Sequence, residues 1–109
     1  MPNYDCRDGQ YQAIETGEIM SFEWDPKKAR ANLREHRVTF EEASSALRDR
    51  LSATGHDPDH SEDEDRFVTF GLSSRGRLLT VSHTDRGSAI RIISARIATN
   101  IERQLYEEG

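Results

Sequence analysis

The sequence predicts an α+β domain with the element order β-α-α-β-β-β-α, in which an antiparallel sheet packs on helices. Three observations predict this class. Two helix-start patterns come early in the chain, three segments rich in β-branched and aromatic residues follow, and a third helix-start pattern closes the chain. The 109 residues are enough for one domain with a modest core, since 34% of them are apolar and 32% are charged.

The amino-terminal part of the domain is expected to form a short strand and two helices. Residues 21–24 alternate between polar and aromatic side chains, as a half-buried strand does. Asp25 followed by proline is a typical N-cap and first helical residue, so a helix is predicted over 26–36. Residues 39–42 have the spacing of a capping box and predict a second helix that ends near Arg48.

The carboxyl-terminal part is expected to form a meander and a closing helix. The predicted strands are residues 66–70, 77–83 and 89–94. Gly76 and Gly87 lie in the two connections, where a turn can need a positive φ. Residues 99–102 repeat the capping-box spacing, and the helix that they start is predicted to present Ile101 and Leu105 to the core.

A trial register for the last hairpin separates a core face from a polar face. It pairs His83 with Ser88 across the turn, which places Arg91 opposite Thr80 on the polar face and His83 on the apolar one. Arg66 joins the polar face if the preceding hairpin is built in the same way. A slip of one residue would exchange every assignment, because successive side chains of a strand point to opposite faces.

Charge divides the chain into zones. Residues 1–19 hold few large apolar side chains and are expected to form a flexible extension, with residues 20–109 as the folded domain. Residues 55–65 form an acidic loop with six carboxylates, and the chain as a whole has a net charge of −5. Residues 71–106 carry six arginines against two acids, a net charge of +4. Arginine suits phosphate recognition, but arginines that only keep a sheet face soluble explain the pattern equally well.

Composition also excludes several classes of protein. The single cysteine, Cys6, rules out an internal disulfide framework. No apolar stretch approaches the roughly 18 residues of a membrane span, and the amino terminus lacks the order of a signal peptide, so we expect a cytoplasmic protein without membrane contact. No cofactor motif is present. Residues 56–60, His-Asp-Pro-Asp-His, contain metal-ligand types, but no separate ligand set accompanies them, so no metal site is predicted.

Several separate motifs occur in a recognisable order along residues 20–106. They are Phe-Glu-Trp-Asp at 22–25, Val-Thr-Phe-Glu-Glu-Ala at 38–43, Gly-Leu-Ser-Ser-Arg-Gly-Arg-Leu-Leu at 71–79 and Ile-Arg-Ile-Ile-Ser-Ala-Arg at 90–96. This series resembles the BrnT toxins of type II toxin–antitoxin systems. Two departures stand out: the family has glycine at the position of Arg37, and residues 1–19 have no counterpart.

The resemblance implies a RelE-like fold and a toxin that cuts RNA without a metal or other cofactor. It also implies a ribbon-helix-helix antitoxin of the BrnA type as the protein partner. The complex of the two would repress its own operon, so operator DNA would be reached only through that complex.

Cleavage without a metal uses the 2′-hydroxyl as nucleophile, so the site must move two protons and stabilise charge on phosphate. We expect Arg91 and Arg96 to hold the scissile phosphate, with Arg77 assisting. His83 is the candidate general acid or base, and Glu102 is its substitute. The expected RNA contacts are Lys28, Arg66, Arg86 and Tyr106.

This assignment requires the guanidinium groups to converge within a few ångströms. It fails if they point apart and each is neutralised by a carboxylate. Three alternatives stay open: a structural ion network between the arginines and the acidic loop, a non-catalytic module that binds an antitoxin and helps to repress an operator, and a small scaffolding domain.

Overall fold

The computed structural model describes residues 21–60 and 64–108, so the extension predicted over 1–19 lies outside the described residues. The elements are β1 (Ser21–Glu23), α1 (Pro26–His36), α2 (Phe40–Leu47), β2 (Ala53–His56), a 3-10 turn (Pro58–His60), β3 (Phe67–Leu72), β4 (Leu78–Arg86), β5 (Ala89–Ile97) and α3 (Asn100–Glu108). The predicted α+β class, with helices packed on a sheet, is confirmed.

The sheet differs from the prediction in two ways. Its strand order is β1-β5-β4-β3-β2, and the edge strand β2 falls where a loop was expected. Residues 53–56 have the sequence Ala-Thr-Gly-His, which carries little of the β-branched and aromatic character that marks a strand. In addition, β1 pairs with β5 in parallel, so the sheet is mixed rather than purely antiparallel.

The helix starts follow the predicted chemistry. The Asp25 carboxylate accepts the Lys27 N–H at 2.9 Å, and Thr39 Oγ1 accepts the Glu42 N–H at 3.0 Å. Helix α1 ends at Arg37, which adopts a left-handed conformation with φ 60° and bonds the Leu33 carbonyl. The helix therefore stops where the resemblance led us to expect glycine, and Arg37 accepts backbone strain of roughly 1 kcal/mol to do so.

One apolar core lies between helices α1 and α2 and one face of the sheet. It is formed by Phe22, Val38, Phe40, Ala43, Ala46, Leu79, Val81, Ile92 and Ala95. Buried Asn32 joins α1 to β5 within it: its amide donates to the Ala95 carbonyl at 2.8 Å, and its Oδ1 accepts the Ala95 N–H at 3.1 Å. The side chain thus bonds β5 as a neighbouring strand would, beyond the end of the short strand β1.

The trial register of the last hairpin is wrong, although it assigns the side chains between the turn and the bulge to the correct faces of the sheet. His83 pairs with Ile92 and Thr84 pairs with Arg91, because the turn is a two-residue Gly87-Ser88 connection with Gly87 at φ 67°. The observed register before the bulge differs from the trial register by four residues. An even shift returns every side chain to its own face.

A β-bulge changes the faces beyond that point. Ser82 pairs with Ser94 whereas His83 pairs with Ile92, so Ile93 is an extra residue without a partner across the ladder. Strict alternation would place Arg91 and Arg96 on opposite faces. The extra residue brings both arginines to the face that points away from α1 and α2.

Helix α3 does not bury the residues predicted for it. Ile101 is 70% exposed and Leu105 is 52% exposed, so their assignment to the core is wrong. The helix is held instead by polar contacts of Glu102 and Tyr106, whose hydroxyl donates to Asp49 at 2.6 Å. None of the helices in the described residues has the length and apolar character needed to cross a bilayer.

Candidate active site

An open groove of about 470 Å³ lies on the sheet face opposite α1 and α2. Its floor comes from alternate residues of β3 and β4, one wall comes from β2 and the following 3-10 turn, and the other wall comes from β5 and α3. Its lining residues are Gly55, His56, Asp57, His60, Val68, Phe70, Thr80, Ser82, Arg96 and Glu102. The floor combines apolar Val68 and Phe70 with polar Thr80 and Ser82, and the walls carry charged and imidazole side chains, which suits a polar ligand with flat groups.

Arg96 and Glu102 form a bidentate ion pair at one wall. Arg96 Nη1 and Nη2 donate to the two Glu102 oxygens at 2.8 and 2.9 Å. The same carboxylate accepts the Thr80 hydroxyl at 2.8 Å and the Thr99 N–H at 2.9 Å, and the second bond belongs to the predicted capping box. These bonds, above all those from Arg96, lower the pKa of Glu102 to about 2, whereas burial opposes the shift. Glu102 raises the pKa of Arg96 in turn.

The opposite wall contains two histidines, each beside an aspartate, but only His60 presents its ring to the groove. Pairing of His56 with Phe67 turns the His56 ring to the helix side of the sheet, where it lies edge-on to Phe67. His60 Nδ1 lies 2.9 Å from Asp57 Oδ2, and His56 Nε2 lies 3.3 Å from Asp65 Oδ1. Pro58 begins the turn that places His60, whose N–H donates to the Asp57 carbonyl at 3.3 Å. In the sequence, these histidines stood out only as metal-ligand types, and no metal site was predicted there. The signal that was available is the His-Asp-Pro-Asp-His run itself.

Arg91 lies on the same face as the groove but farther along it. Its Nε and Nη2 contact Glu23 Oε2 at 3.1 and 3.0 Å. Thr84, its partner on β4, is four residues from Thr80, the partner of Arg96, so the two arginine positions are about 13 Å apart along the strands. Arg91 and Arg96 therefore turn toward different carboxylates at different ends of the face.

Arg86 lies beside Arg91 and shares its carboxylate. Arg86 Nε lies 3.7 Å from Glu23 Oε2, and its Nη1 lies 3.5 Å from Glu64 Oε1. Glu64 belongs to the acidic loop, so the structural ion network proposed as an alternative is present for Arg86. For Arg91 and Arg96, the carboxylates come instead from β1 and α3.

Arg77 does not join this face. Its Nε donates to Glu42 Oε2 at 2.9 Å, its Nη2 contacts Glu42 Oε1, and Nη2 also donates to the Arg37 carbonyl. Glu42 lies on α2, on the other side of the sheet, and its side chain is only 3% exposed. Arg77 therefore ties the turn before β4 to α2.

His83 is buried on the helix side of the sheet. Its Nε2 lies 2.8 Å from the Thr69 hydroxyl, and its ring stacks on Phe67 at 5.9 Å between centroids. Burial lowers the pKa of His83, and the charge of Asp85, 3.4 Å from Nδ1, opposes that shift. The structure does not bring His83 to Arg91 or Arg96.

The four expected RNA contacts are dispersed. Lys28 lies on the exposed side of α1, across the sheet from the groove. Arg66 is half-buried beside the groove, and its carbonyl accepts the Asp57 N–H at 2.8 Å. Arg86 lies beside Glu23, near Arg91. The Tyr106 hydroxyl donates to Asp49, and this hydrogen bond raises the pKa of the phenol.

The arginine assignment required the guanidinium groups to converge at one site, and the structure meets this requirement only in part. Arg91 and Arg96 share a face, but their guanidinium groups point to separate carboxylates and do not converge, and Arg77 lies elsewhere. The groups that do converge on one concave surface are Arg96, Glu102 and His60.

Comparisons with known proteins identify the family to which this fold belongs. A family profile described as the ribonuclease toxin BrnT of type II toxin–antitoxin systems matches residues 24–102, which is more than half of the chain. The chain belongs to the BrnT family of ribonuclease toxins. The match contains both walls of the groove and ends at Glu102.

A solved BrnT structure shares the fold of this chain. The 1.1 Å crystal structure of the Brucella abortus ribonuclease toxin BrnT is similar to this chain, with a TM-score of 0.51 and 24% sequence identity. The similarity covers 71% of this chain and 94% of the Brucella chain. At that identity the likeness shows the fold. No curated protein matches the sequence significantly.

Proposed function

We propose that this BrnT-family toxin is an endoribonuclease that cuts RNA in the groove without a metal, leaving a 2′,3′-cyclic phosphate and a 5′-hydroxyl. The observation that carries the proposal is the groove itself, which sets the Arg96 guanidinium opposite the His60 imidazole on a sheet face that α1 and α2 leave uncovered. Such groups can bind a phosphodiester and move its protons with no ion present.

Arg96 is the phosphate ligand of this site. Its Nε–H and one Nη2–H have no acceptor among the described residues, so they are available to a phosphate oxygen while the Glu102 pair holds the side chain in place. Arg91, about 13 Å away along the same face, contacts another phosphate of the same strand through its Nη1 hydrogens. Arg86, which shares the Glu23 carboxylate with Arg91, lies beside it.

Glu102 and His83 are better suited to structural roles than to proton transfer. A carboxyl group with a pKa of about 2 is a weak proton acceptor at neutral pH, so Glu102 acts by positioning Arg96. His83 is buried on the far side of the sheet from the groove. Arg77 is held by buried Glu42.

The protein partner of the toxin is an antitoxin, as membership of a type II system implies. We propose a ribbon-helix-helix antitoxin of the BrnA type that inhibits the toxin in the cytoplasm and brings the complex to operator DNA. An acidic segment of such a partner would mask the groove by pairing with Arg96 and Arg91.

A non-catalytic module that binds an antitoxin and helps repress an operator is the second candidate. The observation that favours it is the pairing of Arg77, Arg91 and Arg96 each with a carboxylate, which reduces the charge available to RNA. Operator binding would then be the whole of its activity.

Incubation of the full chain with total bacterial RNA in the presence of EDTA distinguishes the two. We expect cleavage products that end in cyclic phosphate. Replacing Arg91 and Arg96 together with alanine should reduce the rate 10²-fold or more, because a well-placed donor to the developing charge contributes about that much. Cleavage that needs an added metal would overturn the metal-independent mechanism, and no cleavage with antitoxin binding intact would favour the second candidate.

Arg103→Ala is the matched control. Arg103 lies on α3 and, like Arg96, has a carboxylate partner, Glu107 at 3.9 Å, but it does not line the groove. Its replacement should leave cleavage unchanged. Thermal unfolding of each variant shows whether a loss of activity comes from unfolding, and an undiminished double variant would remove the arginine assignment.

A further inference from the structure

Helix α1 carries a cluster of cations that lies outside the groove. Residues 26–37 contain five lysines and arginines against one acid, Glu35, a net charge of +4 in a chain whose total charge is −5. We propose that the outer face of α1 binds the phosphate backbone of base-paired RNA, at a surface separate from the groove. The inference goes beyond the proposed function, because it concerns where RNA is held and not how it is cut.

Three of these cations form one row along the exposed side of α1. Lys27, Arg30 and Arg34 are all exposed, and their spacing of three and four residues places them on one helix face. The opposite face holds Asn32, which is buried against β5, and Ala29, which packs against the core. At a rise of about 1.5 Å per residue, the row extends over about 10 Å.

No carboxylate among the described residues pairs with this row. Glu35, the one acid of the helix, lies instead 4.0 Å from His36. The arginines of the open sheet face differ in this respect, since those at positions 86, 91 and 96 each have a carboxylate partner. Positive charge that is not neutralised within the described residues is therefore concentrated on α1.

A rigid row of unpaired cations is suited to a polyanion. Phosphates along a nucleic acid carry condensed counterions, and cations that replace these counterions gain affinity from their release. The side chains of α1 keep a fixed spacing because the helix is packed on the sheet through Asn32 and Ala29. Membership of a family of ribonuclease toxins makes RNA the polyanion that this surface would meet.

The composition of the row favours a nucleic acid over a protein partner. Protein interfaces depend on aromatic and apolar anchors that become buried at their centre. The row contains no such anchor, because Ala31 is the residue between its cations and Leu33 lies on the flank next to Ala29. Contacts to phosphate need charge and hydrogen-bond donors alone, and they position a protein without reading the base sequence.

The same face favours base-paired RNA over a single strand. Sites for single strands combine cations with aromatic rings on which unpaired bases stack. Residues 26–37 contain no phenylalanine, tyrosine or tryptophan, and His36 lies on the side of Asn32, four residues before it. The surface of α1 is also convex, so it can touch the exposed phosphates of a duplex but cannot enclose a strand. The groove, on the other side of the sheet, stays open to unpaired RNA.

The experiment measures binding of a short RNA duplex to the full chain by fluorescence anisotropy over a range of salt concentrations. Every 2′-hydroxyl of the duplex is methylated, because cleavage through the 2′-oxygen is then impossible and phosphate contacts are unaffected. Lys27→Gln, Arg30→Gln and Arg34→Gln are combined in one variant. We expect its affinity to fall about tenfold or more and the slope of log K against log[salt] to decrease by about 2 to 3, since each phosphate contact contributes about 0.9.

A second triple variant makes the same change in net charge away from α1. It combines Arg50→Gln, Arg75→Gln and Arg103→Gln, which replace exposed arginines of the α2–β2 connection, the β3–β4 turn and α3. This control should bind the duplex within about threefold of the wild type and with the same salt slope. Equal losses in the two variants, or no loss in the α1 variant, would overturn the proposal. Thermal unfolding shows that both variants are folded.

Exchanging the cations of the row tests whether charge is what matters. A variant with Lys27→Arg, Arg30→Lys and Arg34→Lys should keep the wild-type affinity for the duplex within about threefold. Two further probes of equal charge, a methylated single strand and polyglutamate, test the choice of ligand. If either one binds as tightly as the duplex and with the same dependence on α1, the assignment to base-paired RNA is wrong.

Cleavage of unmodified RNA connects this surface to the proposed function. For a substrate with a hairpin beside its cleavage site, the α1 variant should raise KM about tenfold and leave kcat unchanged, whereas a short single-stranded substrate should be cut as by the wild type. A wild-type chain that cuts no RNA would sink the proposed function but leave the binding test intact. A chain that cuts RNA while its α1 variant binds the duplex as well as the wild type would sink this inference alone.

Discussion

At the scale of single residues, Arg77 was predicted to assist at the phosphate but forms an ion pair with buried Glu42. The Glu42 carboxylate accepts hydrogen bonds from Arg77 Nε at 2.9 Å and from the Ser73 hydroxyl at 2.7 Å. The bonds from Arg77, more than any other cause, lower the pKa of Glu42 against the effect of burial. An unpaired carboxylate at this site would be costly, so the guanidinium that the sequence suggested for phosphate stabilises the packing of α2 on the sheet.

The ion pair of Glu102 predicts a pH-dependent stability. The pKa of this carboxyl is about 2 in the folded chain, against 4.5 for an unperturbed glutamate, so the pair contributes stability above pH 4.5 that is lost as the pH falls through 2. Replacing Glu102 with glutamine should lower the free energy of unfolding by about 2 kcal/mol at pH 7. Urea unfolding from pH 7 to pH 2 should show this difference shrinking below pH 4.5.

Glu107→Gln is the control for that prediction. Glu107 lies 3.9 Å from Arg103 on the exposed side of α3, where an ion pair contributes about 0.5 kcal/mol or less. Its replacement should change little at any pH. A destabilisation by Glu102→Gln that stayed constant from pH 7 to pH 2 would show that the charge of this residue is not what stabilises the fold.

At the scale of elements, close contacts between backbones set the layers of the fold. Asn32 bonds both backbone groups of Ala95 and so completes the edge of β5 with a helix side chain. Gly71 brings β3 against α2: a Cβ atom added there would lie 2.2 Å from the Ala46 carbonyl oxygen. Only a residue without a side chain allows the strand and the helix to approach this closely.

Gly71→Ala should therefore destabilise the domain by about 3 kcal/mol, because the clash is with backbone and neither element can yield without moving. Gly55→Ala provides the comparison, since a Cβ there meets no atom within 4 Å. Its free energy of unfolding should stay within about 0.5 kcal/mol of the wild type. Chemical denaturation followed by circular dichroism measures both, and equal stabilities would contradict the close packing of β3 on α2.

At the scale of the whole molecule, the sheet separates stability from chemistry. One face carries the core beneath α1 and α2, and the other carries the groove with its charged and imidazole side chains. The net charge of −5 conceals this arrangement, because carboxylates of β1, the acidic loop and α3 sit beside the arginines of the open face. Bulk charge is therefore a poor guide to whether this toxin binds RNA.

The predicted domain boundary can be tested at the same scale. A chain that begins at Met20 should unfold at the same temperature as the full chain, within about 2 °C, because the described core contains its own first strand. A chain that begins at Asp25 loses Phe22, which is 2% exposed, and should be less stable by about 4 kcal/mol. A marked loss of stability on removing residues 1–19 alone would move the boundary.

Short-range patterns account for what could be predicted of the elements. Asp25 and Thr39 cap their helices through bonds to residues two and three positions away, so the local sequence suffices to place both helix starts. The alternation of Leu79 and Val81 assigns the core face of β4 in the same way. The family, too, was evident from motifs that occur in order along the chain.

The candidate site could be predicted only in fragments. Arg96 and Glu102 were both named from the sequence, but as separate catalytic groups rather than as one ion pair. His60 was interpreted as part of an acidic loop, since nothing local indicates that this loop turns back over the uncovered face. Distance in sequence hides such neighbours, because β2 meets β5 only across the intervening strands.

By itself, the sequence determined the helix starts, the core face of Leu79, Val81, Ile90 and Ile92, and the BrnT family, since these depend on neighbouring residues or on motif order. Only the tertiary structure decided the parallel pairing of β1, the bulge at Ile93 that brings two arginines to one face, and the carboxylate that each arginine meets. Those features are set by which segments lie side by side after the chain has folded, and the free energy of packing the whole domain decides that arrangement.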